Sequence, residues 1–249
     1  MILLQKINKI FNPGKVTEVI ALNEISLQIN KGEFVVIVGA NGSGKTTLLN
    51  IIEGSQMPSA GTIEINGKDV TPLPEYKRSR WVARVFQNPN NGTAPDLTIM
   101  ENFRLAALRT QRKNLTIGLK EAFKKKVQEK ISDLGMGLEN KTSQSMGNLS
   151  GGQRQALTLL MSVMDHTDIL LLDEPTAALD PKSALIVMNL ANKLHKDLGI
   201  TTVLITHNVK DAVLYGNRLI QMQQGKIARD VNTADKTGLS IQEIYKWFE

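Results

Sequence analysis

The sequence contains no cysteine, few aromatic residues and no long apolar run. Without cysteine the protein has no disulfide bond, thiolate metal site or cysteine nucleophile, which fits a reducing cytoplasm. Aromatic residues make up 4% of the chain, too few for a platform on which single-stranded nucleic acid stacks. We therefore expect no nucleic-acid partner.

Apolar runs are short throughout the sequence. The longest, residues 34–38 and 169–172, fall well below the roughly 20 residues that a membrane helix needs. Residues 1–4 are apolar but are followed by Gln5 and Lys6, so they are too few for a signal peptide. We expect the protein to stay in the compartment where it is made.

The chain is basic, with a formal net charge of +6 and dense lysine within residues 120–130. Such a balance suits nucleic acid, an anionic membrane face or a nucleotide. The simpler interpretation, which we favour, is the solvated face of a helix. Hydrophobic residues make up 41% of 249 residues, enough for one large α/β domain or a core with one inserted subdomain.

Alternating or continuous apolar patterns predict strands in the first and last thirds of the chain. The predicted strands are residues 25–30, 33–38, 62–65, 169–172, 202–206, 218–223 and 226–230. Hairpin turns are predicted at Asn66-Gly67 and Gln224-Gly225. Predicted helices are residues 46–53, 98–109 (opened by a capping box), 119–134 and 154–164, with another starting at Pro181. Residues 241–248 form a short amphipathic stretch.

Short buried strands that alternate with helices imply a parallel sheet covered on both faces. The middle segment, residues 88–153, is helical in pattern. We therefore expect a single α/β domain whose core, residues 1–87 and 154–249, contains an inserted helical subdomain. The strand order does not follow from the sequence.

Residues 39–46 read Gly-Ala-Asn-Gly-Ser-Gly-Lys-Thr, a complete phosphate loop between a predicted strand and a predicted helix. The glycines let backbone N–H groups turn toward phosphate oxygens at a helix N-terminus. Lys45 adds a positive charge for the β- and γ-phosphates, and the Thr46 hydroxyl is suited to ligate Mg²⁺. This motif predicts a nucleotide site.

Two adjacent carboxylates, Asp173 and Glu174, follow the apolar residues 169–172. A strand of an α/β sheet delivers such groups to the edge where ligands bind. We expect Asp173 to bind the metal ion and Glu174 to orient and polarise the attacking water. The alternative is a structural carboxylate pair at a strand end.

A second candidate anion site lies at residues 149–153, Leu-Ser-Gly-Gly-Gln. The Ser150 hydroxyl and two glycine N–H groups at a helix start attract phosphate. Taken alone, the same pattern is typical of a plain N-cap. One chain thus carries two phosphate-binding helix starts for one triphosphate, so we expect two chains, each lending this motif to the other's nucleotide.

Two polar residues stand at element junctions. Gln87 lies where the β-rich part meets the helical part, and His207 follows a predicted buried strand. The place of His207, downstream of the Asp173 strand, favours a functional role. His166 and His195 lack such a context and are expected on the surface.

With these motifs in this order, the chain resembles the ATPase subunits of ABC (ATP-binding cassette) systems over about residues 3–230. The resemblance implies an α/β fold with a RecA-like phosphate-loop core, an N-terminal antiparallel β subdomain and an inserted α-helical subdomain. Residues 149–153 match the family's signature motif, and residues 178–180 match its D-loop. The implied dimer is head-to-tail and ATP-dependent, and the implied catalytic residues are Lys45, Gln87, Glu174 and His207.

The resemblance also implies ligands for ATP and Mg²⁺. Phe11 matches the aromatic residue that stacks on adenine, although an aromatic residue near a strand end is often part of the core. The implied phosphate ligands are Gly39, Asn41, Gly42, Ser43, Gly44, Lys45, Thr46 and Thr47. The implied metal ligands are Thr46, Gln87 and Asp173. The partner chain is expected to contribute Ser150, Gly151, Gly152, Gln153 and Asp180, of which Asp180 could be merely an N-cap.

A single cassette without membrane segments resembles bacterial importer-type subunits, whose permease is a separate chain. Residues 73–78, 92–95 and 153–157 are similar to those of small-solute uptake ATPases, some linked to tryptophan or tyrosine. The implied partners are a second copy of the chain, membrane permease subunits and, indirectly, an extracytoplasmic solute-binding protein. The implied location is peripheral, on the inner face of the cell membrane, with the permease docked at residues 88–103 unless these form a plain connecting loop.

Other classes of the superfamily fit less well. DNA-repair and chromosome-organising ATPases carry a long coiled coil between the phosphate loop and the signature, and the segment here is too short and lacks sustained heptads. Soluble translation factors carry two cassettes in one chain. An exporter or a lipid- or lipoprotein-release ATPase remains open, because these motifs do not fix the direction of transport.

Overall fold

The computed structural model describes residues 1–110 and 120–248. The strands are β1 Ile2–Phe11, β2 Val19–Ile29, β3 Phe34–Val38, β4 Ala60–Ile65, β5 Lys68–Asp69, β6 Val82–Val85, β7 Ile169–Asp173, β8 Thr201–Ile205, β9 Arg218–Gln223 and β10 Lys226–Val231. The helices are α1 Lys45–Glu53, α2 Glu75–Arg78, α3 Ile99–Ala106, α4 Glu121–Ser132, α5 Gly151–Ser162, α6 Pro181–Leu198, α7 Val209–Leu214, α8 Thr233–Lys236 and α9 Ile241–Tyr245.

The strands form two sheets. An antiparallel sheet has the order β2-β1-β4-β5, and a larger sheet has the order β10-β9-β3-β8-β7-β6. In the larger sheet every pair is parallel except β9 with β10. The two sheets and their helices correspond to the expected α/β fold.

The larger sheet is covered on both faces because successive side chains of a strand point to opposite sides. Phe34, Val36 and Val38 of β3 pack with helices α3 to α7 and α9. Val35 and Ile37 pack on the other side with α1 and the antiparallel sheet. All five side chains are buried, so this strand lies at the centre of the domain with a core on each side.

The expected elements are found, with some different bounds. Strand β2 begins at Val19 rather than near Ile25, because its alternating pattern is interrupted by Glu24, which has a φ of 52°. The sequence of strand β1 has no regular alternation of apolar and polar residues, since the pairing of this strand shifts register next to Lys6, which has a φ of 49°. Strand β6 is too short for a periodic signal.

The segment between β6 and α5 is helical in its described part, with α3, α4 and two 3₁₀ turns. Helix α3 opens with the expected capping box of Thr98 and Glu101. It ends at Ala106 rather than near Arg109, because the N–H groups of Leu108 and Arg109 donate to the carbonyl oxygens only three residues earlier, as in a turn and not an α-helix. Helix α4 buries Val127 and Ile131, so its lysines form a solvated face as expected; the predicted start at Leu119 lies outside the described residues.

Candidate nucleotide-hydrolysing site

Four parallel strands of the larger sheet end at one edge, and each is followed by a candidate site residue. The phosphate loop follows β3, Gln87 follows β6, Glu174 follows β7 and His207 follows β8. Because the carboxyl ends of parallel strands share an edge, residues distant in sequence come together there.

The phosphate loop has a backbone that only glycine accommodates at key positions. Gly42 and Gly44 have φ values of 77° and 98°, in the left-handed region that disfavours other residues. A Cβ at Gly44 would lie 2.5 Å from the Ala21 carbonyl oxygen, and a Cβ at Gly39 would lie 2.3 Å from that of Met222. The Ser43 hydroxyl is buried without a hydrogen-bond partner, as expected of a cradle whose polar atoms serve a ligand.

Lys45 begins helix α1 and is almost fully buried. Its Nζ donates to the carbonyl oxygens of Gly39 at 2.9 Å and Ala40 at 3.0 Å. Burial lowers the pKa of Lys45, and the nearby Glu174 and Asp173 oppose that shift. The ammonium group is therefore held over the loop by weak neutral acceptors, which phosphate oxygens can replace.

Asp173, at the end of β7, is buried and faces the first turn of α1. Its Oδ1 lies 3.5 Å from Thr46 Oγ1, and Thr47 lies half-buried beside Thr46. A carboxylate and a hydroxyl are the hard oxygen donors that Mg²⁺ takes from proteins together with substrate phosphates. Among the described residues, no group of three or more His, Cys, Asp or Glu side chains is arranged to hold a metal ion.

Glu174 contacts two other candidate residues at this edge of the sheet, Gln87 and His207. Gln87 Nε2 donates to Glu174 Oε2 at 3.3 Å, and His207 Nε2 pairs with Glu174 Oε1. Glu174 has a φ of 47°, in the left-handed region that is uncommon for glutamate. Its N–H donates to Ile205 O at 3.0 Å, which fixes the residue against β8.

One charged residue at this edge of the sheet was not among the site residues predicted from the sequence. Arg84 of β6 bonds to Asp173 Oδ2 at 2.5 Å and to Glu53 Oε2 at 2.6 Å. The sequence does carry a signal, because an arginine between buried Ala83 and Val85 needs a charged partner. The identity of that partner depends on the sheet order.

The signature begins α5 and is a true N-cap. Gln153 N donates to Ser150 Oγ at 3.3 Å, and Ser150 N donates to Gln153 Oε1 at 3.2 Å. Ser150 and Gly151 are exposed. Among the hydrogen bonds and ion pairs of the described residues, none joins residues 149–153 to the phosphate loop.

Gly152 differs from its neighbours because it faces inward. A Cβ there would lie 2.3 Å from Ser183 Oγ of the same chain. At Gly151 the nearest atom would be Leu179 Cδ2, at an ordinary 3.6 Å. A side chain added at Gly152 would therefore disturb its own chain, whereas one added at Gly151 would point away from the fold.

Asp180 caps α6 and accepts hydrogen bonds from Lys182 N at 3.1 Å and Ser183 N at 3.0 Å. The hydrogen bonds from Ser183 are the main reason that the pKa of Asp180 is lowered. Buried Gln155 of α5 donates to Phe86 O at 2.9 Å and to Pro175 O at 3.0 Å. It ties the signature helix to the segments that carry Gln87 and Glu174.

Phe11 is the last residue of β1. It is half-buried, pairs with Val19 of β2 and has Lys9 Nζ 5.1 Å from its ring centre. The same strand β2 brings Ala21 against Gly44. Strand β2 therefore links Phe11 to the phosphate loop, since it pairs with β1 at one point and borders Gly44 at another.

The remaining histidines behave differently from each other. His166 is largely exposed, as expected. The surface prediction for His195 is wrong, because its ring packs 5.0 Å from that of Phe34 and its Nδ1 lies 2.8 Å from Ile200 O. Burial lowers the pKa of His195, which makes it a neutral packing residue at the end of α6.

A phosphate loop on a parallel sheet, with Asp173 and Glu174 at the end of the strand two positions along that sheet, defines a phosphate-loop ATPase. Residues 22–177 match the family model described as "ABC transporter". The chain therefore belongs to the ABC transporter family, as an ATP-binding and ATP-hydrolysing cassette. None of the described helices is long and apolar enough to cross a membrane.

Named relatives agree with this assignment. The chain is 42% identical over 228 residues to the "Tyrosine transport ATP-binding protein" of Clostridioides difficile (strain R20291), covering 90% of this chain and 89% of that protein. It is 34% identical over 253 residues to the "Phosphonates import ATP-binding protein PhnC" of Lactobacillus acidophilus, covering 98% and 94%. These relatives are, by name, ATP-binding proteins of transport systems.

A solved structure matches the fold as well. The dimeric ATP-binding cassette MJ0796, in a post-hydrolysis state with ADP and Pi, superposes with a TM-score of 0.81 and 31% identity, covering 94% of this chain and 99% of that one. This likeness confirms the expected fold class and supports the expected dimer.

Proposed function

We propose that two copies of this chain close head to tail on ATP and Mg²⁺, hydrolyse ATP and so drive a separate membrane permease for uptake of a small solute. The observation that carries the hydrolytic part is the gathering of Lys45, Asp173, Glu174, Gln87 and His207 at one sheet edge. These groups cover phosphate binding, metal binding and water activation.

The reaction is an in-line attack of water on the γ-phosphate, and catalysis is mainly positioning and charge stabilisation. Lys45 moves from its carbonyl acceptors to the phosphates. Thr46, Asp173 and Gln87 would hold Mg²⁺, which would neutralise phosphate charge when bound. Glu174 takes the proton from water, and His207, paired with Glu174, contacts the γ-phosphate.

The second half of each site comes from the partner chain. Ser150, Gly151 and the backbone N–H groups at the start of α5 approach the other chain's γ-phosphate, with Gly152, Gln153 and Asp180 supporting that surface. The exposure of Ser150 and Gly151 and the neutral capped helix start support this role. Phe11 stacks on adenine, and its half-exposed ring supports that role.

The permease docks beside the described residues between β6 and α5, where residues 88–98 meet α3 and α5. A groove of about 400 Å³ lies there, with Ala94, Leu105, Arg109 and Thr158 among its lining residues. Asn102 fixes one side of the groove, because its side chain accepts a hydrogen bond from Ala94 N at 2.8 Å and donates one to Ala94 O at 2.9 Å. Exposed Leu105 gives the groove an apolar side that suits a helix of another protein.

Docking is tested by co-purification of the chain with its permease. Leu105→Glu and Ala94→Glu should abolish association and transport while the free subunit keeps its nucleotide binding. Leu198→Glu is the matched control, since Leu198 is similarly exposed at the far end of α6. Normal co-purification of both groove variants would contradict docking at this groove.

For the transported solute we propose an amino acid of the aromatic type, such as tyrosine, delivered by an extracytoplasmic solute-binding protein. The support is the relative named for tyrosine transport. Location at the inner face of the cell membrane follows from the permease. An exporter or lipid-release system is the alternative.

The test reconstitutes the chain with its permease in proteoliposomes, with the solute-binding protein outside. Uptake of labelled tyrosine, dependent on ATP and on Glu174, is the expected result. Uptake of a different solute would contradict the proposed substrate but not the proposed role in uptake. ATP-driven loss of solute or lipid from vesicles loaded inside-out would favour the alternative.

A further inference from the structure

Strand β6 carries one charge where its neighbours are apolar. Val82, Ala83 and Val85 are buried, and the side chain of Arg84 between them is 5% exposed. Burying a guanidinium is costly unless it is paired and hydrogen-bonded. Its partners are therefore informative about why arginine stands there.

The guanidinium bridges two elements of the hydrolytic centre. It donates to Asn50 Oδ1 at 2.7 Å and Glu53 Oε2 at 2.6 Å on α1, and to Asp173 Oδ2 at 2.5 Å on β7. It also lies 4.8 Å from the ring of Phe86, next to Gln87. Burial raises the pKa of Glu53, and Arg84 acts against that rise.

Asp173 divides its two oxygens between two neighbours. Oδ2 is occupied by Arg84, whereas Oδ1 faces Thr46 Oγ1 at 3.5 Å. A carboxylate held at one oxygen keeps a single orientation and presents the other oxygen in a fixed direction. The direction it presents is that of the proposed Mg²⁺.

We propose that Arg84 is a positioning residue for the divalent cation: it holds Asp173 by Oδ2, so that only Oδ1 serves the metal beside Thr46. This inference rests on the proposed role of Thr46 and Asp173 in metal binding. Two opposite effects follow. The permanent positive charge of Arg84 repels the cation, while the fixed carboxylate sets its geometry for hydrolysis.

Loss of Arg84 should therefore have two opposite effects, one on the affinity for the cation and one on the rate of hydrolysis. Both oxygens of Asp173 become available and a positive charge disappears, so a divalent cation binds more tightly. Hydrolysis nevertheless slows, because the carboxylate is no longer held in one orientation. A purely structural cross-link between α1 and β7 predicts lower stability and no change in cation affinity.

Glu53 provides the matched control. It binds Arg84 as closely as Asp173 does but has no contact with Thr46 or Asp173 among the described hydrogen bonds. Glu53→Gln removes a negative charge and keeps an acceptor for Arg84. It should not tighten cation binding, whereas both Arg84→Met and Arg84→Gln should.

The experiment titrates Mn²⁺ into the full chain with ADP and follows bound Mn²⁺ by electron paramagnetic resonance. We expect Mn²⁺ affinity to rise about tenfold in Arg84→Met and Arg84→Gln, with ADP affinity in EDTA unchanged. Arg84→Lys, which keeps the charge, should stay within about twofold of wild type. ATP turnover should fall in the neutral variants without a rise in KM.

Unchanged Mn²⁺ affinity and spectrum in folded Arg84→Met and Arg84→Gln would overturn the inference while leaving the proposed function intact. Failure of both neutral variants to fold, when Arg84→Lys folds, would assign Arg84 to stability and overturn it as well. Absence of ADP-dependent Mn²⁺ binding by wild type would instead refute the proposed metal ligands, and this inference with them.

Discussion

The hydrolytic centre and the signature motif differ in two ways. One is the charge of their residues, and the other is how many of their polar groups have a bonding partner within the same chain. At the hydrolytic centre Lys45, Asp173 and Arg84 are buried and each has partners within the chain. At the signature Ser150 and Gly151 are neutral and exposed, with α5's own capping box as their polar contact. The charged groups of the first region are thus paired within one chain, whereas Ser150 and Gly151 at the second helix start are open to solvent.

Glu174→Gln should give the largest effect, because it disables the hydrolytic centre and leaves the signature intact. Loss of a general base typically costs about 10²–10⁴-fold in rate. The neutral amide keeps the shape, so ATP still binds and a dimer accumulates. Gel filtration with ATP and Mg²⁺ measures this, and a monomeric variant with wild-type turnover would contradict the role of Glu174.

Lys45→Ala should weaken ATP binding by about 2–5 kcal/mol, since a charged partner of the phosphates is lost from a partly water-excluded site. Lys210→Ala is the control, because Lys210 is an exposed lysine just after His207. Equilibrium binding of a fluorescent ATP analogue decides the matter. Equal affinities of the two variants would show that residues 39–46 do not hold the phosphates.

The position of these groups was predictable because each stands in a local context that the sequence displays. A strand, a glycine-rich turn and a helix surround Lys45, and an apolar strand precedes Asp173 and Glu174. Parallel strands then place such ends on the same edge of the sheet, whatever their order. The position of the site at this edge of the sheet could therefore be predicted without knowing the strand order.

Other features depend on tertiary packing and could not be foreseen. The partners of Arg84 come from α1 and β7, which only the sheet order places beside β6. The inward direction of Gly152 is set by Ser183 on α6. His195 was wrongly expected on the surface because its burial depends on Phe34, far away in sequence.

Phe11→Ala should have a smaller effect, since it removes stacking but no charge. Base–aromatic stacking contributes about 1–3 kcal/mol, and discrimination between ATP and GTP should relax. Tyr76→Ala, at an exposed aromatic on α2, is the control in the same binding assay. Unchanged ATP affinity together with lower stability would assign Phe11 to the core instead.

His195→Gln should have the smallest effect, on stability alone, because His195 lies outside both regions. Its folded pKa is below the ordinary 6.5, so the unfolded chain binds the proton more readily and wild-type stability falls as the pH drops through and below that value. Urea unfolding between about pH 8 and pH 5 should show a smaller loss in the variant. An identical pH dependence would contradict the buried neutral state, with His166→Gln as the exposed control.

The central claim is that each signature serves the partner's nucleotide, and mixing two defective chains tests it most directly. Lys45→Ala destroys a phosphate loop, and Gly151→Asp places a carboxylate against the partner's γ-phosphate without the clash that Gly152→Asp would cause within its own chain. Each variant alone should be inactive, while Gly151→Asp should still bind ATP as a folded monomer. An equimolar mixture should recover up to about a quarter of wild-type ATPase, because half of the dimers then hold one intact site. No recovery, or loss of ATP binding in the folded Gly151→Asp monomer, would contradict a signature that acts on the partner chain.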